Sequence, residues 1–373
     1  MRTALSALML AVTMTVRAAA AWGAIAPADV ARVVSLAFAG GPGAAGGDVN
    51  ADGRASAADI CGVLAGLRSP TQPGTFGVGV QRVTFTKDSL SHPGTPRTLR
   101  TTIWYPANPG AAPVAPTLGG VVNAPLADGL ANAPLLMFSH GSCGYPEQSI
   151  FFTALMASYG FIVAAPPHPG NTISQVSTCG SEQAVADSYV DREDDIEFVI
   201  TSLLALNNEP ASFLYGAIDP ARIGMSGHSF GGQTTLRVCA GDPRVVAGLA
   251  MAPALTPTQS QVQLIDIPMM IQAGTIDAVL SFEGNARAAY DLLRAPRYLL
   301  EIQNTGHYAF SDVCAGSTDC APGTLTQDEA HLYVLRYAVP YLLRWVAGDP
   351  RFDAFLAPGV AAPGSILTAD VGG

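Results

Sequence analysis

A serine lies inside a G-x-S-x-G pattern at residues 227–231, where residue types and spacing fit nucleophilic chemistry. Residues 222–226 before it predict a buried strand, and residues 233–240 after it predict a helix. Small residues are needed two positions before and after such a serine, because the sharp strand-to-helix turn presses neighbouring backbone against them. The motif alone is common in proteins, but the flanking elements favour Ser229 as an activated nucleophile.

A serine hydroxyl needs a base to remove its proton, and the chain has six histidines. His307 is the predicted base, because it closely follows a strand predicted over residues 298–302. His140 and His168 follow earlier strands and are predicted to line the substrate pocket. The histidines expected to have no catalytic role are His92 in an N-terminal loop, His228 pointing away from the nucleophile, and His331 in a C-terminal helix.

The base also needs a carboxylate that holds it in one tautomer, and Asp277 is the candidate. It closely follows a strand predicted over residues 269–272, so it stands at the carboxyl end of a strand. The order serine, aspartate, histidine along the chain is one in which such triads occur. Glu283 lies too far into the next segment and Asp312 follows the histidine, so both are expected to be surface charges.

Acyl transfer further requires two N–H donors for the negative oxygen of the tetrahedral intermediate. The residue after the nucleophile, Phe230, is predicted to supply one from its backbone. Ser142 is the candidate for the second, because it lies in the tight turn 139–144 that follows a strand predicted over residues 135–138. Together these residues predict hydrolysis of an ester through an acyl-enzyme, with no catalytic cofactor.

The elements that must position these residues alternate between short apolar strands and helices. An antiparallel pair over 77–86 and 99–105 opens the pattern, and further strands are predicted at 161–165, 223–226 and 245–251. Helices are predicted at 148–159 and 191–206. Such alternation predicts an α/β fold with a mostly parallel sheet covered on both faces. Active sites in these sheets lie at the carboxyl ends of the strands.

Residues 1–21 predict a signal peptide, with Arg2 before an apolar run and small residues at 18–21 as cleavage sites. The alternative is a retained membrane anchor, but the run is shorter than the roughly 20 residues a span needs. Gly, Pro or charged residues interrupt every later apolar run. The mature protein is therefore expected to be secreted, without a transmembrane segment.

Residues 27–68 predict a small separate module with a calcium loop. Oxygen-bearing side chains occupy positions 1, 3, 5, 9 and 12 of the segment 48–59, and Gly53 at position 6 allows the sharp turn. The candidate ligands of a structural calcium ion are Asp48, Asn50, Asp52, Arg54 and Asp59. The alternative is a solvated turn that binds nothing. Residues 69–75, rich in Pro and Gly, are the predicted linker to a catalytic domain over 76–373.

Charge and cysteine content narrow the classes of partner. The net charge of −10 and pI near 4.9 oppose binding to phosphate backbones, so nucleic acid is not an expected partner. Six cysteines in an exported chain favour disulfides. Cys314 with Cys320 is the first predicted pair and Cys143 with Cys179 the second. Cys239 is the candidate for a buried free thiol.

Residues 76–347 resemble the dienelactone-hydrolase-like branch of the α/β hydrolases, and they are similar to platelet-activating-factor acetylhydrolases and bacterial polyester hydrolases. The segments that carry the resemblance are 102–106, 138–141, 160–166, 168–171, 222–232 and 306–307. The pieces Ser-His-Gly and Gly-His-Ser-Phe-Gly-Gly match the acetylhydrolase pattern, whereas dienelactone hydrolases use a cysteine nucleophile. The resemblance implies an α/β-hydrolase fold with the triad and oxyanion roles given above. Residues 27–68 lie outside it and resemble the calcium loop of dockerin and EF-hand modules.

These patterns predict a secreted serine hydrolase of carboxylic esters. One alternative keeps the chemistry but makes the substrate an extracellular polyester, as in cutinases and PET hydrolases. The other is an inactive secreted protein whose calcium module docks to a cohesin-like partner. A cohesin-binding dockerin ordinarily carries two calcium repeats, and this chain has one good loop, which disfavours the docking role.

Overall fold

The computed structural model of the protein describes residues 69–110, 114–314, 324–357 and 362–372. Several predictions lie outside these residues. They are the signal peptide, the calcium loop with Asp48, Asn50, Asp52, Arg54 and Asp59, and the predicted disulfide partner Cys320.

Ten strands in the described residues form one sheet. They are β1 (Gly77–Asp88), β2 (Pro96–Ala107), β3 (Val121–Val122), β4 (Ala133–Ser139), β5 (Ile162–Ala165), β6 (Ile218–His228), β7 (Val245–Met251), β8 (Met269–Gly274), β9 (Arg297–Ile302) and β10 (Ser365–Asp370). Their order across the sheet is β3-β1-β2-β5-β4-β6-β7-β8-β9-β10. The strands from β5 through β4 and β6 to β9 pair in parallel, while β1–β2, β2–β5 and β9–β10 pair antiparallel. The sheet is therefore mixed, with a parallel centre.

Helices cover both faces of the sheet. Those in the described residues are α1 (Ile150–Ser158), α2 (Glu182–Asn208), α3 (Phe230–Gly241), α4 (Gln259–Val262), α5 (Ala288–Leu292) and α6 (Gln327–Leu342). Because helices cover both faces, neither face of the central strands is in contact with water. These strands therefore contain near-continuous runs of apolar residues.

Strand β4 illustrates how the two cores are built. Leu135 and Met137 pack into one core with α2 and α3, while Leu136 and Phe138 pack into the other with α1 and α6. All four side chains are fully buried. The expected α/β class, with helices on both faces of the sheet, is confirmed.

The structure differs from the sequence prediction at three elements. Helix α2 begins at Glu182, nine residues before its predicted start, because Ser181 caps it by accepting a hydrogen bond from the Ala184 N–H at 3.2 Å. Strands β3 and β10 were not predicted, since each is a short edge strand with few core residues. Among the described helices none has the length and apolarity needed to cross a membrane.

Candidate active site

Ser229 stands on a strained turn between β6 and α3. Its backbone has φ +60° and ψ −118°, a left-handed conformation that costs a residue with a Cβ about 1–3 kcal/mol. The turn is tight on both sides, because a Cβ at Gly227 would lie 2.3 Å from the Gly231 carbonyl oxygen. A Cβ at Gly231 would lie 1.9 Å from the Ser139 carbonyl oxygen. Only glycine fits at these two positions, which is the physical basis of the predicted motif.

Three predicted residues meet at the carboxyl edge of the sheet. The Ser229 Oγ lies 2.9 Å from His307 Nε2, and His307 Nδ1 lies 2.7 Å from Asp277 Oδ2. Asp277 Oδ1 accepts hydrogen bonds from the N–H groups of Val279 at 2.8 Å and Leu280 at 2.7 Å, which fix the carboxylate. The histidine and aspartate are nearly buried, whereas Ser229 is partly exposed. The serine can therefore meet a ligand while its partners stay shielded from water.

The competing residues lie elsewhere. Glu283 is exposed, and the Asp312 carboxylate accepts hydrogen bonds from the Ile150 and Phe151 N–H groups at the start of α1. Asp312 is therefore not the free surface charge that was expected. His92 pairs with an aspartate at the surface, and His331 stacks on Phe151 with ring centroids 3.5 Å apart.

His228, next to Ser229, points back into the protein. Its Nε2 donates to the His307 carbonyl oxygen at 2.9 Å, and its Nδ1 accepts from Gln148 Nε2 at 3.0 Å. Gln148 Oε1 in turn accepts from the Gly141 N–H at 2.9 Å. Burial lowers the pKa of His228 well below its usual value, so the ring is neutral. This chain of bonds ties the backbone of His307 to the turn after β4.

The turn after β4 lies beside Ser229, as the predicted oxyanion role of Ser142 requires. A Cβ at Gly141 would be 3.4 Å from the Ser229 Cβ. The Ser142 N–H donates no hydrogen bond to any acceptor in the described part of the chain. Phe230 is the first residue of α3, so its N–H has no acceptor within the helix.

His140 and His168 lie behind this turn rather than in a pocket, which differs from the sequence prediction. Both rings are fully buried. His140 Nδ1 contacts the Gly141 carbonyl oxygen at 2.7 Å, and its Nε2 accepts from the His168 N–H at 3.1 Å. His168 Nδ1 lies 2.9 Å from Asp195 Oδ2, and its Nε2 lies 2.9 Å from Ser139 Oγ. With every ring nitrogen engaged inside the protein, neither histidine can bind a substrate.

Burial and nearby cations keep these two histidines neutral. Burial lowers the pKa of both well below the usual value, and the charge of Arg192 lowers it further. Arg97 completes the cluster by donating to both oxygens of Asp195 at 2.7 Å. The buried polar cluster therefore supports the turn that carries Ser142.

One disulfide joins the same turn to the segment that follows β5. Cys143 and Cys179 are bonded, with Cα atoms 5.4 Å apart, which confirms the second predicted pair. Cys239 is a buried free thiol, as expected. Cys314 is also disulfide-bonded, and its predicted partner Cys320 lies outside the described residues. The residues of 69–372 that are described contain no cluster of three or more His, Cys, Asp or Glu suited to a metal ion.

Sequence reasoning missed three residues that shape the site, namely Gln148, Asn171 and Arg192. The strongest available signal was on α2, where Arg192 and Asp195 occupy the same helical face as the buried Ile196 and Val199. Charges at core-facing positions are rare unless they are paired or bonded. Charged residues at this spacing, among apolar residues of one helical face, are therefore a sign of a buried polar cluster.

Comparison with known proteins gives a family match that runs from α1 to β10. The model of a family described as PET hydrolase-like matches residues 151–369, a range that includes Ser229, Asp277 and His307. The sequence is similar to several branches of the α/β hydrolases, and this match supports the similarity to the polyester hydrolases.

Curated relatives are distant in sequence. Cutinase 2 of Thermobifida cellulosilytica is 23% identical over 231 residues, which are 59% of this chain and 80% of the cutinase. Cutinase est2 of Thermobifida alba is 24% identical over 243 residues, which are 62% of this chain and 73% of that cutinase. A bis(hydroxyethyl) terephthalate hydrolase of Streptomyces coelicolor is 24% identical over 260 residues, which are 69% of this chain and 65% of that enzyme.

A solved structure of a ferulic acid esterase from Streptomyces cinnamoneus has the same fold. It aligns with a TM-score of 0.61 at 21% identity, over 79% of this chain and 98% of the esterase. Together with the strained turn at Ser229 and the chain order of the three residues, this likeness fits the α/β-hydrolase fold.

Proposed function

Because the chain belongs to the PET hydrolase-like family, we propose that it is a serine hydrolase of carboxylic esters. Ser229 is the nucleophile, His307 the general base, and Asp277 the carboxylate that orients the base. The observation that carries the proposal is the continuous pair of hydrogen bonds, 2.9 Å from serine to histidine and 2.7 Å from histidine to aspartate.

In the first step Ser229 Oγ attacks the ester carbonyl carbon while His307 Nε2 takes the hydroxyl proton. The negative oxygen that forms is held by the N–H groups of Phe230 and Ser142. Collapse of the intermediate breaks the bond to the alcohol, which leaves with the proton from His307. Asp277 favours the tautomer with a proton on Nδ1 and stabilises the imidazolium between these transfers.

In the second step water hydrolyses the acyl-enzyme. His307 removes a proton from water as the water oxygen attacks the acyl carbon. The same two N–H groups hold the new oxyanion, and the serine leaves with the proton returned by His307. The products are a carboxylic acid and the free enzyme, so the bonds and protons balance without another reactant.

The test of this proposal is Ser229→Ala, measured on a short p-nitrophenyl ester. We expect turnover to fall to the background rate, and a fluorophosphonate probe to label the wild type at Ser229 only. Ser202→Ala is the matched control, because Ser202 lies on α2 with its Oγ donating to the Phe198 carbonyl oxygen. Unchanged activity in Ser229→Ala would refute the proposal, and a wild type that neither reacts nor labels would favour an inactive binding protein.

A polyester is the second candidate substrate, favoured by exposed apolar side chains beside Asp277 and in the segment bonded to the turn after β4. Ile276 and Val279 flank Asp277 with 45% and 53% of their surface exposed. Ile173 and Val176 are 51% and 69% exposed, and the Ile173 N–H donates to the Gly144 carbonyl oxygen in the turn after β4. Exposed apolar side chains around a site favour contact with a hydrophobic surface.

Release of soluble products from an amorphous polyester film, compared with turnover of the short ester, tests this substrate. The double variant Ile276→Ser/Val279→Ser is expected to lose film hydrolysis more than short-ester hydrolysis, because it removes the exposed apolar side chains beside Asp277 and leaves the triad in place. Turnover of the short ester without any product from the film would exclude the polyester while leaving the esterase proposal intact.

We further propose that the enzyme acts outside the cell and carries a structural calcium ion in its N-terminal loop. A disulfide at the site fits an oxidising compartment. The calcium proposal rests on the ligand spacing of residues 48–59 alone. A melting temperature of the full chain that a chelator leaves unchanged would count against calcium.

A further inference from the structure

Arg192 is a fully buried arginine whose side chain ends behind the turn after β4. Its Nη1 donates to the His140 carbonyl oxygen at 2.6 Å, and its Nη2 donates to the Gly141 carbonyl oxygen at 3.1 Å. Nη2 also donates to Asn171 Oδ1 at 2.6 Å. The guanidinium therefore donates its shortest hydrogen bonds to backbone and amide oxygens. These bonds offset part of the free-energy cost of burying its charge.

The Gly141 carbonyl is the most heavily bonded group of the turn. Besides Arg192 Nη2, it accepts from His140 Nδ1 at 2.7 Å and from the Gly144 N–H at 3.1 Å. This carbonyl and the Ser142 N–H belong to one planar peptide unit, in which C=O and N–H point in opposite directions. Donors that hold the oxygen on the inner side thereby turn the Ser142 N–H outward.

Arg192 also touches the residue that carries the other predicted oxyanion donor. Its guanidinium carbon lies 4.4 Å from the centroid of the Phe230 ring, a cation–π contact. One side chain thus contacts both the Gly141–Ser142 peptide and the first residue of α3.

We propose that Arg192 is the positioning residue of the oxyanion hole, orienting the Ser142 N–H through the Gly141 carbonyl and supporting Phe230 from behind. This inference rests on the proposed esterase function and deepens it. Arg192 does not touch the substrate, and its effect reaches the oxyanion through the Gly141–Ser142 peptide that it holds and through Phe230.

The charge needed for this role is present at neutral pH. Burial lowers the pKa of Arg192 to about 9, which still leaves the guanidinium protonated at pH 7. A charged donor makes a stronger and shorter hydrogen bond than a neutral one, so it restricts the rotation of the peptide more.

Arg192→Gln is the primary test, with kcat and KM measured on a short p-nitrophenyl ester. Removal of a whole oxyanion donor lowers kcat by roughly 10²–10³-fold. Misorientation of one donor is therefore expected to lower kcat about 10- to 100-fold, with KM nearly unchanged. Arg192→Lys keeps the charge but lacks the planar fork that reaches both carbonyls, so an intermediate kcat is expected.

A tetrahedral inhibitor separates positioning from a general structural effect. A trifluoromethyl ketone places an oxyanion in the same hole, so its Ki should rise by the factor by which kcat/KM falls. Arg237→Gln is the matched control, because Arg237 also stacks on an aromatic ring, with its guanidinium 3.9 Å from the Tyr189 centroid. It forms an ion pair with Glu193 at 2.6 Å and touches no part of the turn. We expect its kcat and Ki to match the wild type.

The outcomes are distinct. Folded Arg192→Gln with wild-type kcat and Ki would overturn the proposal, as would an equal loss of kcat in Arg237→Gln. If Arg192→Gln does not fold, Arg192→Lys decides, because it keeps the charge but cannot reach both the His140 and the Gly141 carbonyl oxygens. Lower kcat with unchanged KM in that variant supports the proposal, and unchanged kcat overturns it. A wild type that neither hydrolyses esters nor reacts with fluorophosphonate would instead overturn the esterase function itself.

Discussion

Removal of the Cys143–Cys179 bond is predicted to lower stability and turnover together. The two cysteines are separated by 36 residues in sequence. A loop of this length loses about 13 cal/mol/K of entropy in the unfolded chain when it is closed, which corresponds to ~3.8 kcal/mol at 25 °C. In a domain of roughly 300 residues, this free energy converts to a fall of about 6 °C in melting temperature.

The turnover effect follows from where the bond is attached. Cys143 directly follows Ser142, whose N–H is a proposed oxyanion donor, and the bond ties this turn to the segment after β5. Without it, the turn is held by Arg192, Gln148 and the Gly144–Ile173 backbone bond. A several-fold lower kcat is therefore expected, with KM unchanged.

The assay uses Cys143→Ser/Cys179→Ser, so that no unpaired thiol remains, with melting followed by circular dichroism and kcat on a p-nitrophenyl ester. A reductant applied to the wild type and to the double variant gives the control. Any fall in melting temperature that the reductant still causes in the double variant measures the contribution of the second disulfide, at Cys314. A melting temperature within about 1 °C of the wild type would refute the loop-entropy reasoning. A lower melting temperature with unchanged kcat would show that the turn does not need this bond.

Three further predictions concern single substitutions. Asp277→Asn is expected to lower kcat by about 10⁴-fold, because the base loses its required tautomer, and a loss below tenfold on a p-nitrophenyl ester would contradict the triad. Gly231→Ala is expected to abolish folding or activity, because its Cβ would lie 1.9 Å from a backbone oxygen, whereas Gly110→Ala meets an atom only at 3.7 Å and should behave as wild type in melting and turnover. Burial raises the pKa of Asp312 to about 6 from 3.8. Its contribution to stability is therefore fully present below pH 4 and lost as the pH rises through 6, so the unfolding free energy of wild type relative to Asp312→Asn should fall between pH 4 and pH 7. A pH-independent difference in urea unfolding would contradict this sign.

The sequence predicted the positions of the three triad candidates because each follows an apolar strand of the parallel centre. The carboxyl ends of such strands meet at one edge, so Ser229, Asp277 and His307 could be expected together without knowledge of any contact. The tight elbow could likewise be predicted, since two glycines flank the serine at the positions where backbone approaches closest.

The same reasoning failed for His140 and His168, which also follow strands of this sheet. Placement after a strand locates a residue at the edge but does not say whether its side chain points out to a pocket or back into the protein. Their direction depends on Asp195 and Ser139, which offer partners inside the fold. Arg192 was missed for a related reason, since a charge on an amphipathic helix is ordinarily expected to face water.

The left-handed backbone of Ser229 sets stability and catalysis against each other at a single position. Glycine adopts φ +60° without opposition from a Cβ, so the fold itself would tolerate glycine there better than serine. Selection for heat tolerance alone would therefore favour loss of this serine, the proposed nucleophile, whereas selection for turnover would retain it. Directed evolution of a more thermostable variant should therefore keep residues 227–231 constant. Stabilising substitutions should be sought at positions where the backbone is not strained.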